Sequence, residues 1–296
     1  MSETLENLRQ KMSVAGKLES VVRTMKALAA SNIGQYESAV RALADYDRTV
    51  ELGLVAFFRL GGEAAGAERP DRMDKSAVGA VVFGSDQGLV GKFNEMLVNF
   101  TVDTLGVLPG EKKVWAVGER VHARLKDDGL PPAGVFAVPN SVTAITPLVG
   151  HILSACEMQR QKGEVGQIYL FHNRPKPGAI YEPVTQRLLP LDEKWRRKLT
   201  KVRWPTVNLP EVLMNDMTTL QALIREYLFV SMYKACAESL AAENASRLAA
   251  MQRADKNIAE LLEDLNGSFN SLRQRGIDEE LFDVISGYES LSLEAT

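Results

Sequence analysis

The stretch IREYLFVSMYKACAESLAAENASRLAAM, residues 224–251, decides the fold because it has a helical pattern from end to end. Apolar side chains recur in it every three or four residues, which is the spacing of one helical face. The same stripe begins at Leu213 and continues to Tyr288, weakened at Gly267 and Gly276 by about 1 kcal/mol each relative to alanine. We therefore predict a C-terminal helix of about seventy residues, on the order of 110 Å long.

The prolines separate this helix from the rest of the chain. All twelve prolines fall between Pro70 and Pro210, and a proline in a helix interior costs about 3 kcal/mol or more. The proline-free N-terminal segment carries an apolar stripe from Leu5 to Phe57, which predicts a second helix of about fifty residues. Because each helix has one apolar stripe, the two are expected to pair as an antiparallel coiled coil, with homodimerisation through the stripes as the alternative. The longer C-terminal helix then has unpaired last turns.

Between the two helices the chain has an α/β pattern. AVGAVVFG, residues 77–84, is a continuous apolar, β-branched run that ends in glycine, as expected of a buried parallel strand. Further strands and helices alternate after it, which favours a Rossmann-like open sheet with helices on both faces. The predicted strands are 113–118, 134–140, 167–173 and 179–191, and the predicted helices are 94–105, 119–128 and 143–161. The predicted domains are the N-terminal helix, 1–60, the α/β domain, 75–205, and the C-terminal helix, 209–290.

Composition argues against several classes of function. At 296 residues and 45% hydrophobic, the chain can bury a sizeable core, and its net charge of -3 gives no bulk attraction to nucleic acid or anionic lipid. The N-terminus has no signal-peptide pattern and no window of about 18 apolar residues occurs, so we expect membrane association only through a partner. Cys156 and Cys236 are expected to be buried reduced thiols. His122, His151 and His172 share no ligand spacing, so neither a metal site nor a cofactor is expected.

GSDQGLVGKFN, residues 84–94, is the stretch that most resembles a phosphate-binding loop. A Walker-type loop has a glycine five residues before its Gly-Lys pair and a Ser or Thr after it, whereas this chain has Asp86 and Phe93 at those positions. The dinucleotide spacing GxGxxG also fails. We therefore expect a tight turn from strand to helix, with a nucleotide-binding α/β enzyme as the alternative.

The segment WRRKLTKVRW, residues 195–204, is basic and bracketed by tryptophans. Such a pattern occurs in RNA and lipid contacts, and it also occurs in surface loops that lead into a helix. We favour the surface loop, because Pro205 and the long C-terminal helix follow directly.

Three motifs, in this order, resemble the gamma subunit of F-type ATP synthases. MKALAA, residues 25–30, is similar to the family's MKMVAA, and GSDQGLVGKFN is similar to its TSDRGLCGGFN. The segment 224–287 resembles the family's closing helix, whereas from about 110 to 205 the likeness is only architectural. The resemblance implies an antiparallel coiled coil of the two terminal helices with an α/β domain between them.

The resemblance also implies a function. A gamma subunit is the central rotor shaft that couples ion flow through the membrane c-ring to ATP synthesis or hydrolysis at the beta subunits, and it has no catalytic activity of its own. The implied partners are the alpha/beta hexamer, the epsilon subunit and the c-ring, at the cytoplasmic face of the bacterial inner membrane. The residues that match the family's contacts with the alpha/beta ring are Met25, Lys26, Arg247, Arg273, Gln274, Asp278 and Glu280.

The chain also departs from the family's pattern. Gln87, Val90 and Lys92 replace the family's Arg, Cys and Gly in the 84–94 loop, which indicates a divergent gamma subunit, such as that of an alternate bacterial F-type ATPase. A coiled-coil adaptor protein is the second alternative to the rotor shaft.

Overall fold

The computed structural model describes residues 4–59, 77–191 and 216–294, together with residues 195, 197, 199, 201–202 and 204–208. The predicted domain boundary between residues 60 and 75 lies outside the described residues. The elements in chain order are α1 (Leu5–Arg59), β1 (Ala77–Phe83), α2 (Phe93–Gly106), β2 (Lys112–Val117), α3 (Glu119–Asp127), β3 (Gly134–Phe136), a 3₁₀ turn (Val142–Ala144), α4 (Ile145–Gln161), β4 (Val165–Lys176), β5 (Ala179–Leu189) and α5 (Asp216–Glu294).

The two long helices are present as predicted. Helix α1 has 55 residues and α5 has 79, so the C-terminal helix is the longer one. The chain divides into two compact units, one made of Met1–Leu28 with Leu248–Thr296 and the other of Ala29–Arg247. Each unit contains a segment of both helices, and the pairing is described for each unit separately.

In the first unit the two helix segments run antiparallel. The Arg9 guanidinium lies 5.3 Å from the centroid of the Phe269 ring, and Lys26 Nζ lies 2.5 Å from Asp255 Oδ2. Contacts made further along α1 are therefore made with residues nearer the start of α5. Leu8 on α1 is buried, as its place in the apolar stripe predicts.

In the second unit the remaining helix segments pair in the same sense. Asn32 Nδ2 lies 3.4 Å from Asn244 Oδ1, and the Tyr46 hydroxyl donates to Glu226 at 2.6 Å. At Gly53 the helices approach so closely that an added Cβ would lie 2.9 Å from Leu223 Cδ2. Among the buried residues of α1 in this unit, four keep the seven-residue spacing of a coiled coil, at Ala29, Tyr36, Val50 and Phe57.

The sheet has the strand order β3-β2-β1-β4-β5. Strands β1 to β4 are parallel to one another, and β5 pairs antiparallel with β4. The antiparallel partner follows from the connection, because two residues, Pro177 and Gly178, join β4 to β5 and a parallel crossover needs a dozen or more. The predicted strands are confirmed, with bounds that differ by a few residues at their ends.

Helices cover both faces of the sheet, as predicted. Side chains alternate along β1, so Val81 and Phe83 join one buried cluster and Ala80 and Val82 join another. The first cluster includes side chains from α4 and α5, and the second includes side chains from α2 and α3. Helix α5 is therefore both half of the coiled coil and part of the core of the α/β domain.

Candidate functional site

The loop at 84–94 is a closed turn from β1 into α2. The Ser85 N–H donates to Asn94 Oδ1 at 3.1 Å, and Asn94 Nδ2 donates to Ser85 Oγ at 2.8 Å. Gly84 allows this closure, because an added Cβ would lie 2.3 Å from Val121 Cβ. The predicted strand-to-helix turn is confirmed, and Asn94 is the residue that closes it.

Asp86 ties this loop to the ends of the neighbouring strands. Its Oδ1 accepts from the N–H of Glu119 at 3.0 Å, and its Oδ2 accepts from the N–H of Val138 at 2.9 Å. The first of these is an N–H at the start of α3, the kind of donor that binds phosphate in nucleotide sites. In this chain the Asp86 carboxylate already satisfies it.

The carboxyl ends of β1 and β4 form the switch point of the sheet. The chain leaves β1 towards β2 on one side and returns to β4 on the other, and open α/β sheets bind ligands outside strand ends at such a point. Here α5 occupies it. Ser239 Oγ donates to the carbonyl of Phe83 at 2.8 Å, and Glu238 Oε2 lies 2.9 Å from His172 Nε2. A nucleotide at this position would have to displace the chain's own helix.

A buried ion pair follows on the same helix. Arg247 Nη2 lies 2.6 Å from Glu243 Oε1, and the two side chains are 14% and 7% exposed. Burial nevertheless raises the pKa of Glu243 above its ordinary value, because loss of hydration outweighs the attraction of the guanidinium. The pair therefore belongs to the packed interior of its unit.

Lys26, a predicted ring-contact residue, is bound within the helix pair. Its ammonium lies 2.5 Å from Asp255 Oδ2, and this hydrogen bond holds the pKa of Asp255 below its ordinary value. Met25 beside it is partly buried. The structure thus places both residues in the first unit, with Lys26 facing α5.

The other predicted contact residues lie further along α5. The side chains of Arg273, Gln274, Asp278 and Glu280 are all exposed. Large apolar side chains in the same region are exposed as well, at Ile277, Leu281, Phe282, Val284 and Ile285. This part of α5 therefore presents a mixed polar and apolar surface, whereas Arg247 is mostly buried.

Sequence reasoning missed the residues that fasten α5. Asp255, Ser239 and Ser246 were not identified as functional, although Ser239 and Ser246 are seven residues apart and so lie on one helical face. The signal that could have found Asp255 is Lys26, which follows Met25 of the apolar stripe of α1 and so indicates an acidic partner on the facing helix. Sequence spacing alone does not identify which acidic residue that is.

The tryptophans of the 195–204 segment serve packing. Trp195 Nε1 donates to the Tyr227 hydroxyl at 3.1 Å, and its ring stacks edge-on against Phe58. Trp204 Nε1 donates to the carbonyl of Asn208 at 2.8 Å. The described part of the segment is helical at residues 195, 197 and 199, so these residues are not in the predicted surface loop.

Within the described residues, no group of three or more His, Cys, Asp or Glu side chains is arranged to hold a metal ion. None of the described helices combines the length and the apolar character that a membrane crossing requires.

Comparison with known proteins places the chain in a family. The family model for ATP synthase matches residues 4–291. The ATP synthase gamma chain of Dechloromonas aromatica (strain RCB) is 25% identical over 296 residues, covering 95% of this chain and 97% of the relative. The ATP synthase gamma chain of Sulfurovum sp. (strain NBC37-1) is 26% identical over 305 residues, covering 97% and 99%.

Solved structures share the fold. The rotor of the Euglena gracilis mitochondrial ATP synthase matches with a TM-score of 0.65 at 16% identity, over 92% of this chain and 98% of that one. The central stalk and c-ring structure of the Tetrahymena thermophila mitochondrial ATP synthase matches with a TM-score of 0.56 at 22% identity, over 79% and 99%. The chain therefore belongs to the ATP synthase family, as a gamma subunit, the non-catalytic shaft of the rotor.

Proposed function

We propose that this chain couples ion flow through a membrane c-ring to ATP synthesis or hydrolysis by an alpha/beta hexamer, with an epsilon subunit as a further partner. The observation that carries the proposal is the extent of the family match, which runs through both long helices and the α/β domain. A coupling element works by making different contacts with each state of its partner. A long helix pair that carries charged and apolar side chains is suited to such contacts.

The part of α5 around residues 273–285 is the proposed contact surface for the alpha/beta ring. Arg273 and Asp278 are exposed there, and Phe282 is 70% exposed. An exposed large apolar side chain beside charged residues is typical of an interaction surface. Gln274 and Glu280 are exposed on the same stretch and are proposed to contribute to this surface.

Met25, Lys26 and Arg247 are proposed as further ring contacts, with different local roles. The ion pair with Asp255 positions Lys26 and holds the adjacent turn of α1 in place, so that Met25 is presented from a fixed backbone. Arg247 is already paired with Glu243. It could contact the ring through its exposed edge while keeping that pair.

We also propose a location and a lineage for the chain. A gamma subunit is part of a membrane-associated complex, and we place this one at the cytoplasmic face of a bacterial inner membrane. The substitutions at Gln87, Val90 and Lys92 support a divergent gamma subunit. We propose that the helices 1–60 and 209–290 contact the alpha/beta ring, and that the α/β domain 75–205 contacts the epsilon subunit and the c-ring.

Affinity purification followed by reconstitution in vesicles tests the proposal. The tagged chain is expected to co-purify with alpha, beta, epsilon and c subunits. Vesicles that contain the complex are expected to take up ions while the complex hydrolyses ATP. A complex assembled without the chain is expected to lose ion uptake. Recovery of other proteins in place of these subunits would favour the adaptor alternative.

The isolated chain provides a second test, by calorimetry with ATP. We expect no ATP binding at micromolar concentrations, because α5 fills the switch point and the N–H of Glu119 already donates to the Asp86 carboxylate. Micromolar binding would favour the nucleotide-binding alternative.

A further inference from the structure

We propose that the sheet's switch point and helix α5 form the joint through which torque passes between the α/β domain and the shaft, with Glu238, Ser239 and Ser246 as positioning residues. This inference rests on the proposed function of the chain as a coupling element. All of the contacts that carry it lie inside the unit Ala29–Arg247.

The joint contacts both strands of the switch point at the same level. Phe83 at the end of β1 is paired in register with His172 of β4. Ser239 donates to the carbonyl of Phe83 at 2.8 Å, and Glu238 lies 2.9 Å from His172. Two consecutive residues of α5 therefore hold two neighbouring strands, which restricts sliding of the helix across the strand ends.

A second attachment point lies two helical turns further on. Ser246 Oγ donates to the carbonyl of Val90 at 2.6 Å, in the loop that follows β1. Between the two points, Ala242 packs against Val90 and Phe93 in a small apolar cluster. Residues 239, 242 and 246 lie on one face of α5, because they are three and four residues apart.

Burial makes these attachments resistant to exchange with water. Ser239 is 3% exposed and Ser246 is 5% exposed, and both bonds are made to backbone carbonyls. A buried carbonyl that loses its donor stays unsatisfied, so the closed joint is favoured over an open one. Two attachments separated along one rigid helix also resist tilting of that helix against the sheet, which a single attachment would not.

Helix α1 makes a smaller contribution to this core. Its buried residue in the cluster beneath α4 and α5 is Tyr36, whereas α5 contributes Met232, Ala235, Cys236, Ala237, Leu240 and Ala241. We therefore expect torque to enter the shaft through α5, with α1 following through the helix pairing.

The test uses the complete complex in vesicles, with ATP hydrolysis and ion uptake measured on the same sample. In the double variant S239A/S246A we expect ATP hydrolysis to continue and ion uptake per ATP to fall at least about twofold. The reason is that loss of two buried hydrogen bonds raises the ratio of open to closed joint roughly 30-fold. The matched control is Ser231→Ala, a buried serine of α5 that accepts a bond from Gln186 at 3.4 Å, away from the switch point. Ser231→Ala should leave uptake per ATP unchanged.

The outcomes separate the inference from the proposed function. If the unchanged complex hydrolyses ATP without ion uptake, the proposed function is wrong. If the unchanged complex couples normally and the S239A/S246A complex couples equally well, the inference that these contacts form the joint is wrong. If the double variant is missing from the purified complex, Ser246→Ala alone is tested by the ion uptake per ATP. We then expect lower uptake per ATP together with faster amide exchange in residues 84–94. Unchanged uptake and unchanged exchange would overturn the proposal.

Discussion

Two stretches of α5 have similar helical patterns and opposite surroundings. Along 230–246 the helix is buried on nearly every side, and its polar residues Ser239, Glu243 and Ser246 are all bonded within the chain. Along 261–285 only Leu265 is buried among the described side chains. One continuous helix thus serves as a core element in one stretch and as an exposed surface in the other.

The difference shows what each stretch requires of its residues. The buried stretch uses small side chains, such as Ala237 and Ala242, because strand ends approach the helix closely there. The exposed stretch carries large apolar groups, such as Phe282, that have no partner within the described chain. We expect substitutions in the buried environment to change stability and substitutions in the exposed stretch to change binding.

The largest expected effect is at the crowded strand ends, with Gly118→Ala. Gly118 has φ +116°, and an added Cβ would lie 2.6 Å from the carbonyl oxygen of Ser85. Strain and overlap together should lower the free energy of unfolding by roughly 3 kcal/mol or more, measured by urea unfolding of the full chain. The control is Gly129→Ala, which has φ +82° with open space around it and should cost only about 1 kcal/mol. Equal losses in the two variants would contradict the crowding at Gly118.

The next effect compares two arginines that were both predicted as ring contacts. Arg247→Ala leaves Glu243 buried without its partner, so the free energy of unfolding should fall by roughly 3 kcal/mol. Arg273 is exposed, so Arg273→Ala should change stability by less than about 0.5 kcal/mol. In the complex, Arg273→Ala should still lower the ATP hydrolysis rate. A stable Arg247→Ala variant would contradict the role of the ion pair in the core.

A smaller effect of opposite sign is expected in the exposed stretch, with Gly267→Ala. A Cβ at Gly267 would meet nothing within 4 Å, and alanine favours helix over glycine by about 1 kcal/mol. The free energy of unfolding of the isolated chain should therefore rise by up to about 1 kcal/mol. A loss of stability would show that this side of α5 contacts another part of the chain.

The smallest effects concern pH, where two acids on α5 should act in opposite directions. Burial raises the pKa of Glu243 above 4.5, so the folded state keeps its proton longer and stability falls as pH rises from about 4.5 through the folded pKa. The hydrogen bond from Lys26 lowers the pKa of Asp255 below 3.8. The contribution of the Asp255 carboxylate to stability is therefore present above pH 3.8 and is lost as pH falls through the folded pKa.

Urea midpoints measured across pH for Glu243→Gln and Asp255→Asn test these signs. Relative to the unchanged chain, Glu243→Gln should remove the fall in stability that occurs as pH rises above 4.5. Asp255→Asn should remove the fall in stability that occurs as pH drops below 3.8. Difference curves of the same sign would contradict the contrast between the buried Glu243 carboxylate and the half-buried, lysine-bound carboxylate of Asp255.

Much of the fold could be predicted from local patterns. Helix α1, β1 and the helical nature of α5 follow from proline placement and apolar spacing, because both act through neighbouring residues. The missing Walker residues at 86 and 93 correctly indicated a turn. The antiparallel β5 and the packing of Trp195 were not predicted, since both depend on which distant element lies alongside.

The sequence by itself determined two long helices, an α/β middle and a loop without a phosphate motif, because periodicity and turn chemistry are local properties. Only the tertiary structure decided that Lys26 faces Asp255, 229 residues away, and that Ser239 and Ser246 fasten α5 to the end of β1 and to the loop after it. Periodicity shows which residues share a helical face. The packing of the whole chain determines which strand or helix that face meets.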